Sequence, residues 1–282
     1  MSAPARIPFA KMHGAGNDLV VIDCLAGDPV TDWAAFARHA LDRRLGIGGD
    51  QLLLVKPSRD ADFFMAIRNA DGSPAEMCAN GIRAFTKYVR DRGLTAKDVI
   101  RVETLAGIVT PRWLGGDQIE VEMTRPVLEP AKIPTRLAGA APLVDVPLDV
   151  DGERLRVCAV GMGNPHCVIF VDDPESFPVE RLGPRIEHHE MFPERVNVEF
   201  VGVRSRGELV QRTWERGSGE TLACGSGACA VGVAAVLSGR ADRDVRIRLR
   251  GGILRIRWPK DDGPVYMTGP AAHVFDGEIS WP

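Results

Sequence analysis

The chain has no apolar stretch approaching the roughly 18 residues that a membrane-spanning helix needs, so no membrane partner is expected. It also has little net charge. Its 35 Lys and Arg against 38 Asp and Glu leave −3, which gives no general attraction to nucleic acid or an anionic surface. The nearest thing to a basic patch is Arg246, Arg248 and Arg250, alternating with Val245, Ile247 and Leu249. That period of two marks the solvent face of a strand, not a phosphate groove. The six cysteines include no zinc-like CxxC pair, since Cys224 and Cys229 lie on one short run with no second pair nearby; no metal site is expected. There is no GxGxxG loop and no Walker sequence. The opening, MSAPARIPFAK, lacks the apolar core of a secretory signal, which leads to the expectation of a cytoplasmic, reducing location with the cysteines as thiols.

What is present is a sequence written twice. Gly14-Ala15-Gly16-Asn17 followed by Val21 matches Gly161-Met162-Gly163-Asn164 followed by Val168, at an offset of 147. Cys78 and Cys224 match at 146, as do Asn69 and Glu215. Gly107-Ile108 with Trp113 matches Gly252-Ile253 with Trp258 at 145, and Met123-Thr124 matches Met267-Thr268 at 144. A slowly drifting offset in conserved order indicates tandem duplication of one α/β unit. With 282 residues, two domains are the default expectation. The proline-rich stretch 126–147 reads as the crossover between them.

In the first half, 19–23 (LVVID), 51–55 (QLLLV) and 62–68 (DFFMAIR) read as strands. Between the first two, Trp33, Phe36, Ala37, Ala40 and Leu41 recur at helical spacing behind a Thr31 cap. A second helix runs from Cys78 to about Arg92 with Gly93 as its stop, and strands near 99–104, 107–113 and 118–123 complete the half. The second half repeats this order, with its cysteine-headed helix at about 225–238. Both central helices are expected to be wrapped by their own sheets, the second being rich in small residues (ACAVGVAAV).

Each of the paired cysteines sits in a small-residue turn that opens a helix. Helix N-termini lower a thiol's pKa and attract anions, so Cys78 and Cys224 are candidate bases beside a carboxylate site. Inverting a tetrahedral carbon needs proton removal on one face and delivery on the other, which two opposed bases can do without turning the substrate. Backbone N–H groups at the two helix starts would stabilise charge developing at the α-carbon. A cysteine in an apolar sequence is more often an inert core residue, and that is the reading for Cys24, Cys158, Cys167 and Cys229. His166 gains weight from Asn164, two residues before it, in the turn equivalent to the one holding Asn17. Glu215 and Arg216, just ahead of the glycine turn leading to Cys224, are placed to bind an amino-acid zwitterion.

KMHGAGND, GIGGDQ, RNADGSPAEMCANGIRAF, GMGNPHCV, RVNVEF, ERGSGETLACGSGACA and VYMTGPAAHVFDGEI together make nearly the whole chain resemble the diaminopimelate epimerases. The resemblance implies an α+β fold of two pseudo-symmetric duplicated lobes, each a mixed β-sheet or barrel around a central α-helix, with the site in the cleft between them. The expected lobes are 1–125, with 271–282 returning to it, and 126–270. The implied activity is interconversion of LL- and meso-diaminopimelate with no cofactor and no metal, in lysine and peptidoglycan-precursor synthesis, by a homodimer. Cys78 and Cys224 are implied as the thiolate–thiol pair, with Cys78 assigned to the LL isomer. His166 and Glu215 match positions that tune the thiols' proton affinity. Asn17, Gln51, Asn69, Asn164, Asn197, Glu215 and Arg216 match the substrate-holding set, with Ala79-Asn80 and Gly225-Ser226 as backbone amides.

Two positions depart from the family pattern: Ala79 stands where CGNG has its first glycine, and Gly49 where GIGAD has alanine. Alternatives stay open at this stage. A proline racemase-type enzyme also uses two thiols, but carries a His two residues after the first, where this chain has Asn80. A phenazine-type isomerase shares the architecture without the thiol pair. A redox protein would join Cys78 and Cys224 in a regulatory disulfide, and reversible inactivation on oxidation is expected in either case.

Overall fold

The structure, a computed structural model, describes residues 4–282. The chain divides into two compact units, one of Met1–Val121 with Gly269–Pro282 and one of Glu122–Thr268.

The first unit opens with β1 (Ala5–Gly14) and β2 (Asn17–Asp23), then α1 (Trp33–Ala40), β3 (Gln51–Lys56), β4 (Phe63–Asn69) and the short β5 (Pro74–Ala75). After these come α2 (Ala79–Asp91), β6 (Val102–Thr104), β7 (Gly107–Val109), β8 (Arg112–Gly115) and β9 (Gln118–Glu122). The second unit contains β10 (Val146–Val150), β11 (Glu153–Gly161), β12 (Pro165–Phe170), α3 (Val179–Glu187), β13 (Asn197–Ser205), β14 (Glu208–Glu215) and β15 (Gly219–Thr221). It continues with α4 (Gly225–Leu237), β16 (Asp244–Leu249), β17 (Gly252–Arg257) and β18 (Tyr266–Pro270). The chain ends in β19 (Ala272–Trp281), which pairs antiparallel with β1.

The duplication is legible in the strand orders. The first sheet runs β19-β1-β2-β3-β4-β6-β7, and the second contains the run β10-β11-β12-β13-β14-β16-β17. In each, the third and fourth strands are parallel (β2/β3, β12/β13), and so are the fifth and sixth (β4/β6, β14/β16). Registers agree as well: Leu19 faces Gln51 across β2/β3, and His166 faces Asn197 across β12/β13. These are mixed sheets, and the two halves are one α/β design used twice.

Each sheet packs on its central helix. On α2, Ile82, Ala84, Phe85 and Val89 are buried, and so are the polar Asn80, Arg83 and Thr86. Helix α4 is buried almost all round, as expected of a helix with no polar face. Its small residues admit the sheet closely: a Cβ on Gly232 would lie 2.6 Å from Ile256 Cγ2. Both helices end at a glycine with positive φ, Gly93 (67°) and Gly239 (71°), where an L side chain would be strained.

Two local expectations are corrected and one is met. Helix α1 is capped by Asp32 rather than Thr31, because Asp32 Oδ1 accepts the N–H groups of Ala34 and Ala35, each at 3.0 Å. The strand expected over 107–113 is two strands, interrupted at Pro111, which has no N–H to give a ladder. After it, β8 turns to pair with β9. Arg246 and Arg248 lie on the exposed face of β16 with Val245 and Ile247 beneath, and Arg248 bonds Glu208 at 3.0 Å.

Candidate active site

The first unit gathers its candidate residues at one end of its sheet, around the start of α2. Cys78 has extended backbone (φ −139°, ψ 118°), so the helix begins at Ala79 and Sγ folds back to accept the Gly81 N–H at 3.3 Å. Sulfur here takes the place that a Ser or Asp oxygen holds at an ordinary N-cap. The half-buried thiol also lies 3.7 Å from Asn17 Oδ1, to which it can donate. Gln51 and Asn69 are directly paired across β3/β4, and Gln51 Nε2 donates to Asn69 Oδ1 at 3.0 Å. Asn69 Nδ2 in turn donates to Ser73 Oγ at 3.1 Å.

Asn17 is held from behind by charge. Its Nδ2 donates to Asp50 Oδ2 at 2.7 Å, and Arg43 bridges Asp50 (2.8 Å) and Asp18 (2.7 Å). Lys11 Nζ completes the cluster at 2.7 Å from Asp18. Burial opposes ionisation of Asp18, but hydrogen bonds from Arg43 and Lys11 prevail and hold its carboxyl well below the usual range. Asn80, expected to contribute its backbone amide, is buried, and its Oδ1 accepts from Arg83 Nη2 at 2.7 Å. The N–H groups of Ala79 and Asn80 belong to the first turn, where helix geometry supplies no intrahelical acceptor.

The second unit builds the equivalent end differently. Cys224 caps α4 in the same extended conformation (φ −118°, ψ 112°) but is 6% exposed, and its Sγ lies 3.6 Å from Ser226 Oγ. Gly225 and Ser226 form the first turn. Asn197 is buried, its Nδ2 bonded to the Pro165 carbonyl at 3.0 Å and its Oδ1 to the Arg216 N–H at 3.0 Å. Glu215 Oε1 accepts from the Thr221 hydroxyl, which ties the end of β14 to β15. The Arg216 guanidinium is exposed and bonded to the Glu194 carbonyl at 3.1 Å.

His166 is fully buried between two oxygens. Nδ1 lies 2.8 Å from Glu199 Oε1, and Nε2 lies 2.8 Å from Asn164 Oδ1. Sequence reasoning missed Glu199. Its signal is a single carboxylate inside the apolar run Val198–Phe200, two residues from Asn197 and therefore on the same face of the strand. A second missed residue is Glu187, whose Oε2 accepts from Trp214 Nε1 at 2.7 Å and whose Oε1 accepts from the Gly217 N–H at 2.9 Å. It clamps the turn that carries Glu215 and Arg216.

The electrostatics of Cys224 differ from the sequence expectation. A helix start favours the thiolate, but burial first, and then the charge of Glu215, push this thiol well above its ordinary value. Cys224 therefore rests as the thiol, the form that can donate. Cys24 is pushed up to about 12, first by burial, and burial also raises Cys158 and Cys167, in keeping with core roles. Among the described residues no group of three or more His, Cys, Asp or Glu is arranged to hold a metal ion. No helix among them is long and apolar enough to cross a membrane.

Comparisons with known proteins bear on the family and the fold. Residues 9–129 and 158–274 match the family model for diaminopimelate epimerase. The diaminopimelate epimerase of Desulforudis audaxviator is 52% identical over 96% of this chain and 98% of its own length. That of Desulfitobacterium hafniense is 50% identical over 96% and 97%. Among solved structures, a phenazine biosynthesis protein of the PhzF family from Bacillus anthracis superimposes with a TM-score of 0.71 at 17% identity, covering 98% of this chain and 99% of that one. That likeness concerns the fold. With a duplicated α+β design, a cysteine heading each central helix and half of the sequence shared along nearly its whole length, the chain belongs to the diaminopimelate epimerase family.

Proposed function

We propose that this protein interconverts LL- and meso-diaminopimelate by a two-base proton transfer, with Cys78 and Cys224 as the bases. The observation that carries the reading is the repeated cap: two thiols, each the N-cap of a buried central helix in one copy of a duplicated unit. In one direction a thiolate breaks the substrate Cα–H bond and becomes a thiol. The other thiol delivers its proton to the opposite face and becomes a thiolate. The reverse direction exchanges the roles, so the atoms balance without an external acid or base.

The α-carboxylate, where charge accumulates as the proton leaves, is taken by first-turn N–H groups at Ala79-Asn80 and Gly225-Ser226. Asn17, Gln51, Asn69, Asn164, Asn197 and Glu215 hold the ammonium and carboxylate groups, and Arg216 takes the distal carboxylate as a fork. His166 and Glu215 set the proton affinity of the thiols. All proton transfers use this chain's own side chains, with no cofactor in the scheme. The reading also takes the protein to be cytoplasmic, to serve lysine and peptidoglycan-precursor synthesis, and to act as a homodimer, the last open to sedimentation equilibrium.

The test is to incubate reduced enzyme with LL-diaminopimelate in D₂O and to follow α-proton loss and isomer composition together. Deuterium entry accompanied by meso product is expected without added cofactor. Absence of both from correctly folded, reduced protein would overturn the substrate assignment.

A further inference from the structure

The two copies are not equivalent beneath their cysteines. Position for position, Leu19 corresponds to His166 and Leu53 to Glu199, and the strand registers agree: Val21 faces Leu53, as Val168 faces Glu199. All four side chains are fully buried. Each copy therefore has a first-turn glycine backed by the corresponding residue. A Cβ on Gly81 would lie 3.3 Å from Leu53 Cδ2 and 3.5 Å from Cys78 Sγ, whereas a Cβ on Gly227 would lie 2.7 Å from Glu199 Oε1 and 3.3 Å from Cys224 Sγ. The hydrocarbon floor that Leu53 gives the turn after Cys78 is replaced after Cys224 by the carboxyl of Glu199, bonded to His166.

We propose that Glu199 is a positioning residue of this enzyme, sharing one buried proton with His166 so that Nε2 of His166 carries hydrogen toward Asn164 and the pair stands neutral under Cys224. This rests on the epimerase reading above for its role in the reaction, and on geometry for the shared proton. The imidazole faces an oxygen at each nitrogen, and a neutral ring can donate to only one of them. Both contacts are satisfied when the pair holds one further proton, either as imidazolium against carboxylate or as a carboxyl donating to Nδ1. The two forms have the same charge and differ only in where the proton sits.

The other oxygen of the pair agrees. Glu199 Oε2 is buried without a hydrogen-bond partner, a condition a neutral carboxyl's carbonyl tolerates better than an ionised carboxylate. Burial independently pushes the Glu199 carboxyl up. The titratable groups acting on this pair and on Cys224 are Glu215 on β14, Cys167 on β12 and the Cys224 thiol itself. A neutral pair leaves Cys224 free of one more fixed negative charge when it becomes a thiolate. The hydrocarbon floor does the same for Cys78 by having no charge at all.

The experiment uses full-length protein labelled with ¹⁵N-histidine. At neutral pH the His166 Nε2 is expected to be protonated. A bare Nε2 with a proton only on Nδ1 would mean an isolated Glu199 carboxylate and would overturn the proposal. In the second arm, Glu199→Gln stands in for the neutral carboxyl, since its amide N–H can donate to Nδ1, whereas Glu199→Leu leaves Nδ1 without a partner. Glu199→Leu is expected to lower kcat for diaminopimelate about tenfold or more, with KM within about twofold and the pH profile of kcat displaced, and Glu199→Gln is expected to restore most of that loss. Equal losses of kcat in the two variants would overturn it as well. The nitrogen measurement needs neither variant nor any substrate, so it judges the pair even if Glu199→Leu or Glu199→Gln fails to fold. Failure of wild-type protein to turn over diaminopimelate would strike the substrate assignment and leave that arm intact.

Discussion

Gly227 stands so close to Glu199 that a methyl group on it would lie 2.7 Å from the carboxyl Oε1. Its counterpart Gly81 would place a methyl 3.3 Å from a Leu53 methyl, a contact a small side-chain shift relieves. The two alanine substitutions should therefore differ. Gly227→Ala is expected to displace Glu199 from His166, lose about 1–3 kcal/mol of stability from overpacking, and lose most activity. Gly81→Ala should cost less on both counts. Urea unfolding and diaminopimelate turnover of the two variants side by side check this, and equal losses would refute the asymmetry.

The thiols should react in a fixed order. Cys78 is half-buried and accepts a backbone N–H, whereas Cys224 is nearly enclosed and held as the thiol by burial and by Glu215. Only the thiolate is an efficient nucleophile. Iodoacetamide at neutral pH is expected to label Cys78 first, Cys224 much more slowly, and Cys24, pushed up to about 12, not at all in the folded protein. Peptide mass spectrometry over a time course reads the order. Faster labelling of Cys224 than of Cys78 would contradict the electrostatic account.

The cluster behind Asn17 should make the first unit acid-sensitive. Asp18 has a folded-state pKa held below its unfolded value, so its contribution to stability is present above the unfolded value of about 4 and is lost as the pH falls below it. Asp18→Asn removes the carboxylate that Lys11 and Arg43 share, and about 1–3 kcal/mol is expected to go with it at neutral pH. Denaturant midpoints for wild type and variant should converge as the pH is lowered through 4. A constant gap across that range would rule this explanation out.

Much of this fold is visible in the sequence because the duplication constrains it twice over. The cysteine-capped helices, their glycine stops at Gly93 and Gly239 and the order of strands follow from periodicity and from the offset between halves. Details set by a single side chain are harder to see. Asp32 rather than Thr31 caps α1 because of where one carboxylate reaches, and neighbouring residues of similar propensity do not reveal which is used. Glu199 is the instructive omission. A lone acidic residue in an apolar strand is a warning that a buried partner exists, and the 146-residue offset pairs it with Leu53. The partner, His166, lies on another strand, and only the parallel register of β12 with β13 brings the two together.

Glu187 offers a test of how the second unit presents its binding residues. Its carboxylate joins the last turn of α3 to Trp214 and to the Gly217 N–H, with Arg195 Nη1 3.7 Å away, so it fixes the turn from Glu215 to Ser218 from below. Nothing in this arrangement touches Cys224 directly. Glu187→Ala is expected to raise KM for diaminopimelate several-fold or more through a loosened Arg216, with a smaller effect on kcat, and to cost about 1–3 kcal/mol from the two orphaned donors. A fall in kcat at unchanged KM would place Glu187 in the proton-transfer apparatus instead.

The sharpest separation of chemistry from folding comes from the cysteines. Cys78→Ala and Cys224→Ala each remove one sulfur from a helix cap, and should leave both units folded, since the buried faces of α2 and α4 are untouched. Each is expected to abolish epimerisation to the limit of detection, because one remaining thiol reaches a single face of the α-carbon. The equilibrium between isomers is fixed, so neither variant can retain net conversion in one direction alone. Circular dichroism establishes the fold, and turnover measured from both LL- and meso-diaminopimelate establishes the loss. Substantial activity in either single variant would show that one base suffices, and the two-thiol mechanism would have to be abandoned.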